Sequence, residues 1–299
     1  MTLANKYRPT DLKTVVGQEV VCKVLNKQVE NNSYSHAILF SGNAGCGKTT
    51  CARIFANEIN GDIIELDCAT HNGVAEIKDI VDNARNKSLI HNYKVFILDE
   101  CQCLTSQAWS SLLIVLEENI EHSIFIFCTT DAQKIPNTII SRVQRFNFLP
   151  IRENVIIDRL KYVCNNEHIS FDEEGLKYIA NSANGNLRQA LTNLDKCILY
   201  DENINRENVC KALNIVTYDV LSNLYNAFSL NDRVGIIDTI ENVYRNGYNL
   251  HQFVRQFLDY ALKHDNLDLI ERLLVILQDI RYDDMPKNII IARLIIGGK

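Results

Sequence analysis

Three things are missing from this sequence of 299 residues, an excess of basic charge, a long apolar run and a paired-cysteine spacing, and each absence closes off a class of function. Lys and Arg number 31 against 37 Asp and Glu, a net charge of −6. No overall basic field therefore marks the chain for nucleic acid or an acidic membrane surface, and any DNA contact has to be local. The acidic excess is spread evenly over residues 1–150, 151–215 and 216–299, so no segment is a basic tail. The longest apolar runs, residues 112–116 and 289–291, fall well short of the roughly 18 residues that a membrane span needs. The start, from Met1 to Pro9, lacks the apolar stretch and small-residue cleavage site of a secretory signal. A soluble, cytoplasmic chain with no membrane partner is expected. The 10 Cys are scattered, several inside apolar patterns where a reduced Cys acts as a small hydrophobe, so no disulfide framework is expected. Cys101-Gln102-Cys103 is the one close pair, and no Cys or His spacing suits a tetrahedral zinc site, so no zinc is expected. Internal repeats and low-complexity tracts are absent as well.

What is present is ordinary globular composition, 46% hydrophobic and 23% charged, at a length that suits two or three domains. Residues 36–41, 62–67, 94–99 and 123–129 read as strands, each followed by a turn and a helical pattern, which predicts a parallel α/β sheet over 1–150. Ala37-Ile38-Leu39-Phe40, Val95-Phe96-Ile97-Leu98 and Ile124-Phe125-Ile126-Phe127 are near-continuous apolar runs, as central strands covered on both faces require. After Pro150 the alternation stops. From Glu153 onward no strand is expected, only amphipathic helices over 155–164, 175–181 and 187–199 in a small unit, 151–215. Further helices near 218–229, 233–245, 249–264 and 267–281 form a last, all-helical unit, 216–299, punctuated by Gly247 and Pro286.

Gly42-Asn43-Ala44-Gly45-Cys46-Gly47-Lys48-Thr49 fits G-x-x-x-x-G-K-[ST] and lies between a buried-strand pattern and a helix pattern. Glycines at 42, 45 and 47 let backbone N–H groups curl around an anion at a helix N-terminus, with Thr50 in the same first turn. Lys48 reaches the terminal phosphates and the Thr49 hydroxyl can ligate Mg²⁺. A Gly-rich strand-to-helix turn could produce the pattern alone, but Val95-Phe96-Ile97-Leu98-Asp99-Glu100 adds an acidic pair at the C-terminal end of a hydrophobic strand, the edge where open α/β sheets bind ligands. Asp99 would hold Mg²⁺ through water and Glu100 would polarise the attacking water as general base. Cys46, at a helix N-terminus, has either a lowered thiol pKa or a plain packing role.

In their order these motifs resemble the clamp-loader branch of the AAA+ ATPases, and most closely the ATPase subunits of bacterial replicative clamp loaders, over about the first 200 residues. Tyr7-Arg8-Pro9 followed by Val15-Val16-Gly17-Gln18 is similar to the family's adenine-binding segment, which favours ATP, as does the lack of a guanine-reading Asn-Lys-x-Asp motif. The segment from Thr129 to Pro136 resembles sensor 1, with Thr130 in the position that feels the γ-phosphate. Ser141-Arg142-Val143 resembles the Ser-Arg-Cys motif, which implies that Arg142 is an arginine finger acting on a neighbouring subunit's ATP. Gly185-Asn186-Leu187-Arg188 resembles sensor 2, which implies that Arg188 reaches the nucleotide from a helical lid.

The resemblance implies an AAA+ P-loop domain, a helical lid and a helical collar that holds an oligomeric, pentameric ring, with ATP and Mg²⁺ as cofactors. The implied partners are other clamp-loader subunits, a sliding clamp and primer–template DNA, in a bacterial cell or a virus-infected one. Lys78 matches a position that faces DNA phosphates, with Arg85 and Lys87 near the same helix end; the same residues also fit a solvated helix face beside Glu76 and Asp79. Residues 70–74 are a clamp-contact loop by the same resemblance. Three departures stand out. Only Asn60-Gly61 occupies the place of the family's four-Cys zinc module, Val143 replaces the Cys of Ser-Arg-Cys, and Ile114 stands where a basic residue links ATP site to DNA. No long C-terminal extension of the kind some members carry is expected. The stripes Leu221/Leu224/Phe228, Phe253/Phe257/Tyr260 and Ile270/Leu273/Leu274/Leu277 fit a core, or alternatively an oligomer face. Two other functions compete: an AAA+ branch-migration or helicase-loading motor, and a structural clamp-loader subunit that does not turn over ATP.

Overall fold

The computed structural model describes residues 1–118, 120–279 and 286–296. The chain divides into two compact units, Met1–Ile198 and Leu199–Lys299. In the first, five strands form a parallel sheet: β1 (Ala37–Gly42), β2 (Gly61–Asp67), β3 (Tyr93–Asp99), β4 (Ser123–Thr129) and β5 (Gln144–Phe148), in the order β2-β3-β4-β1-β5. The three runs expected to be central are β1, β3 and β4, and they are. Alternate residues of each feed two separate cores. Ile38, Phe40, Val95, Ile97, Ile124 and Ile126 pack under α1 (Glu19–Glu30) and α2 (Lys48–Glu58). Leu39, Phe96, Leu98, Phe125 and Phe127 pack under α3 (Val74–Ala84) and α4 (Ser106–Glu118). A period of two on a sheet covered on both faces requires this split.

The fifth strand escapes the sequence pattern for a physical reason. Gln144-Arg145-Phe146-Asn147-Phe148 alternates polar and apolar residues because β5 is an edge, and only Phe146 and Phe148 point inward, with ring centres 5.6 and 5.0 Å from Phe40. Beyond it come α5 (Glu153–Glu167), α6 (Glu173–Ser182) and α7 (Leu187–Tyr200). The expectation of no strand after Glu153 needs correcting: Ser170–Phe171 and Asn203–Ile204 are two-residue strands, too short to leave a periodic signal. The N-terminal segment is tied to these helices, with the Leu3 N–H donating to Asp195 Oδ2 (3.0 Å), Tyr7 O–H to Glu167, and Arg159 Nη2 to the Tyr7 carbonyl (2.8 Å).

The second unit holds α8 (Arg206–Leu213), α9 (Tyr218–Ser229), α10 (Arg233–Arg245), α11 (Leu250–Lys263), α12 (Leu267–Asp279) and α13 (Lys287–Ile296). Its core gathers Leu221, Leu224, Phe253, Phe257, Leu273 and Leu294. The expected stripes therefore face inward, except Leu274, which is exposed. The last two positions of the helix expected over 267–281 lie outside the described residues. Among the described residues no helix is long and apolar enough to cross a membrane.

Candidate functional site

The loop between β1 and α2 is shaped by what its glycines leave out. Gly42 has φ +150°, and a Cβ there would lie 2.2 Å from the Phe148 carbonyl oxygen, so only glycine lets the loop start against β5. At Gly45 (φ +68°) a Cβ would lie 1.8 Å from Asn186 Oδ1, the side chain that caps α7 by accepting from the Gln189 N–H at 2.9 Å. Buried Gln18 fixes the loop from behind, its amide nitrogen donating to the carbonyls of Leu149 (2.7 Å) and Cys46 (3.2 Å). Cys46 donates its thiol to the Asn43 carbonyl at 2.8 Å, and burial pushes its pKa up, so the packing role holds and the lowered pKa does not.

Loop and helices enclose a cleft of about 340 Å³. Tyr7, Arg8, Pro9, Val15, Val16 and Ile151 line one wall; Gly45, Cys46, Gly47, Lys48, Thr49 and Thr50 line the floor; Asp99, Glu100, Arg53 and Arg188 complete it. Most residues expected to hold nucleotide thus converge on one cavity of the first unit. Lys48 is buried and donates to the carbonyls of Gly42 (2.8 Å) and Asn43 (2.9 Å), directly above the loop. The Thr49 hydroxyl donates to Asp99 Oδ2 at 2.8 Å. Burial raises the Asp99 pKa, and the Thr49 bond opposes that rise. Two hard oxygen donors at a phosphate loop suit Mg²⁺, which takes one or two protein oxygens and completes its shell with water and phosphate.

Glu100 sits in the left-handed region (φ +49°) where β3 ends, a conformation a non-glycine residue adopts at a cost of order 1–3 kcal/mol. Its Oε2 accepts from Thr130 Oγ1 at 3.0 Å and from Gln102 Nε2 at 2.6 Å. Thr130 therefore lies next to the acid, although it does not itself line the cleft. Arg142 does not line this cleft. Its guanidinium is partly exposed and donates to Glu117 Oε1 and to the Thr138 carbonyl, both at 2.8 Å.

Sequence reasoning missed Arg53, Gln102 and Asn186. Arg53 is one helical turn beyond Thr49 and forms a two-pronged pair with Glu65 of β2 (2.8 and 2.6 Å). The spacing from Thr49 was the signal available. Arg8, Arg53 and Arg188 share the cavity, and burial first, then the charges of Arg53 and Arg188, lowers the pKa of Arg8. With Lys48, four cations line the cavity against Asp99 and Glu100, while Glu65 is taken up by Arg53, an excess of positive charge that favours an anionic ligand. Tyr7 is pushed up to about 12, chiefly by its hydrogen bond to Glu167. Of the residues expected at DNA, Lys78 and Lys87 are exposed on and after α3, while Arg85 is engaged by Glu118 (2.8 Å) and Asp82 (3.4 Å).

Residues 17–72 and 63–152 match the family described as DNA polymerase III, delta subunit, and residues 158–199 match the RCF1/5-like, AAA+ ATPase lid domain. DNA polymerase III subunit tau of Bacillus subtilis is 39% identical over 66% of this chain and 39% of its own length. The gamma/tau subunit of Mycoplasma genitalium is 34% identical over 84% of this chain and 46% of its own. The gamma subunit of Buchnera aphidicola is 35% identical over 71% of this chain and 66% of its own. The chain thus spans less than half the length of the first two relatives. In fold it is similar to the Thermotoga maritima RuvB Holliday junction branch migration motor, at a TM-score of 0.60 and 19% identity, covering 75% of this chain and 80% of that one.

Proposed function

Because this chain is a homologue of the DNA polymerase III gamma/tau subunits, in the clamp-loader branch of the AAA+ family, we propose that it is the ATP-hydrolysing subunit of a sliding-clamp loader. The observation that carries the reading is the convergence of Lys48, Thr49, Asp99, Glu100 and Arg188 on one cavity. In this reading the backbone N–H groups of residues 45–49 and the Lys48 ammonium take the phosphates of ATP. Lys48 then exchanges its two loop carbonyls for phosphate oxygens, a charge-assisted contact stronger than either. Thr49 and Asp99 would hold Mg²⁺, which supplies charge neutralisation on the phosphate oxygens. Glu100 accepts the proton of the attacking water, and Thr130 and Arg188 register the terminal phosphate. The wall from Tyr7 to Val16 receives the base. Arg142, outside its own cleft and held by Glu117, acts on the ATP of a neighbouring subunit.

In this reading the chain comprises an ATPase domain (1–150), a lid (151–215) and a collar (216–299) that joins a pentameric ring of subunits in the cytoplasm. ATP binding would close the ring into a spiral that opens a sliding clamp, and primer–template DNA, met by Lys78 and Lys87, would trigger hydrolysis and release. Among the described residues of the second unit, helices are joined by turns and Asn203–Ile204 is the one strand, which does not favour the DNA-binding winged-helix unit with β hairpins expected of a branch-migration motor. Steady-state ATPase of the assembled protein, with and without primed DNA and clamp, tests the proposal. Strong stimulation by both, lost in Glu100→Gln and Arg142→Ala, is the expected result. Hydrolysis indifferent to both ligands would point to another motor, and none in any assembly to a structural subunit.

A further inference from the structure

One side chain outside the cleft bonds both Glu100 and Thr130 and ties them to the buried face of β4. Gln102 lies in the single helical turn Cys101–Cys103 that follows the acidic pair. Its amide nitrogen donates to Glu100 Oε2 (2.6 Å) and to Thr130 Oγ1 (2.9 Å), and its amide oxygen accepts from Thr129 Oγ1 (2.7 Å). The direction of each bond follows from the others. Thr129 is wholly buried and its hydroxyl oxygen accepts from the Asp131 N–H (3.0 Å), so its proton must go to an acceptor, which fixes the amide oxygen of Gln102 on that side. The amide N–H groups are then turned toward Glu100 and Thr130, and Thr130 in turn gives its proton to the same Glu100 oxygen (3.0 Å).

We infer that Gln102 is a positioning residue that sets the orientation of the Glu100 carboxylate for proton abstraction, anchored through Thr129 to the core of β4. This rests on the reading of Glu100 as the general base. Two donors converge on Oε2. Among the described residues none donates a hydrogen bond to Oε1, which is left as the oxygen that takes the proton of a water molecule. An unanchored carboxylate on a left-handed residue would sample several rotamers, only one of which faces an attacking water, and a small misplacement of a base costs rate steeply. The anchor is rigid because the Thr129 hydroxyl sits on a strand whose seven residues are all buried.

The test uses the protein with its companion subunits, the clamp and primed DNA, and reads kcat and KM for ATP beside direct nucleotide affinity. Gln102→Met keeps length and shape without polar atoms, and Gln102→Glu keeps the acceptor for Thr129 while removing the donor and adding a charge against Glu100. Both variants are expected to lose about 10- to 100-fold in kcat, with KM and nucleotide affinity within about twofold of wild type. Thr129→Val, which frees the far end of the amide, should lower kcat in the same direction and add little to Gln102→Met. A Gln102→Met protein with wild-type kcat overturns the inference. So does a rise in kcat, which would make Gln102 a restraint on Glu100, and so does a loss confined to KM. Failure of the wild-type assembly to hydrolyse ATP overturns the ATPase reading together with this one, whereas a hydrolysing wild type beside an unaffected Gln102→Met overturns this one alone.

Discussion

At Lys48 a buried ammonium has two backbone carbonyls as partners, and each is an acceptor that a phosphate can outbid only by carrying full charge. Removing the ammonium leaves those carbonyls and the incoming phosphates without their cation. Lys48→Ala is therefore expected to weaken nucleotide binding by at least tenfold and to abolish hydrolysis, as read by calorimetric titration and phosphate release. Glu100→Gln should differ, with affinity retained and hydrolysis lowered by about 10²–10⁴-fold. Residues of this kind were legible in the sequence because their chemistry needs a local order: the loop glycines, Lys48 and Thr49 are contiguous, and Asp99-Glu100 ends an apolar run. Gln102, Arg53 and Asn186 were not, since their roles come from what the fold sets beside them: Glu100 and Thr129, Glu65, and Gly45.

Among the elements, strands covered on both faces were readable as apolar runs, and an edge strand was not. β5 shows why: with one face on Phe40 and the other toward solvent it carries Arg145 and Asn147 between its two Phe residues. The junction of β1 with β4 holds a titrating group, His36, whose Nδ1 lies 2.6 Å from the Ser123 carbonyl and whose ring meets Phe125 edge-on at 5.7 Å. Burial lowers the His36 pKa below its ordinary value. The folded protein thus holds the neutral ring and the unfolded chain binds the proton more readily. Stability from this group is intact above the unfolded pKa of about 6.5 and declines as pH falls below it. Urea unfolding at a series of pH values should show that decline, and His36→Gln should flatten it.

For the molecule as a whole, two compact units with separate cores imply that damage to one need not reach the other. Phe257→Ala, in a fully buried site of α11, should cost about 3–5 kcal/mol in the second unit while nucleotide affinity in the first stays near wild type. Thermal denaturation beside nucleotide titration checks both halves of that statement. A net charge of −6 would leave any DNA contact to a few local cations. Lys78→Ala with Lys87→Ala should weaken DNA stimulation of the ATPase and flatten its salt dependence by one to two charges, without altering basal hydrolysis. The contact of Gly45 with Asn186 bears on how far a signal has to travel. The atom missing from Gly45 is the space that Asn186 fills, and Asn186 caps the helix on which Arg188 stands two residues later. In the proposed reading, a loop that shifted to wrap a phosphate would press directly on the residue that caps this helix, one contact away from Arg188.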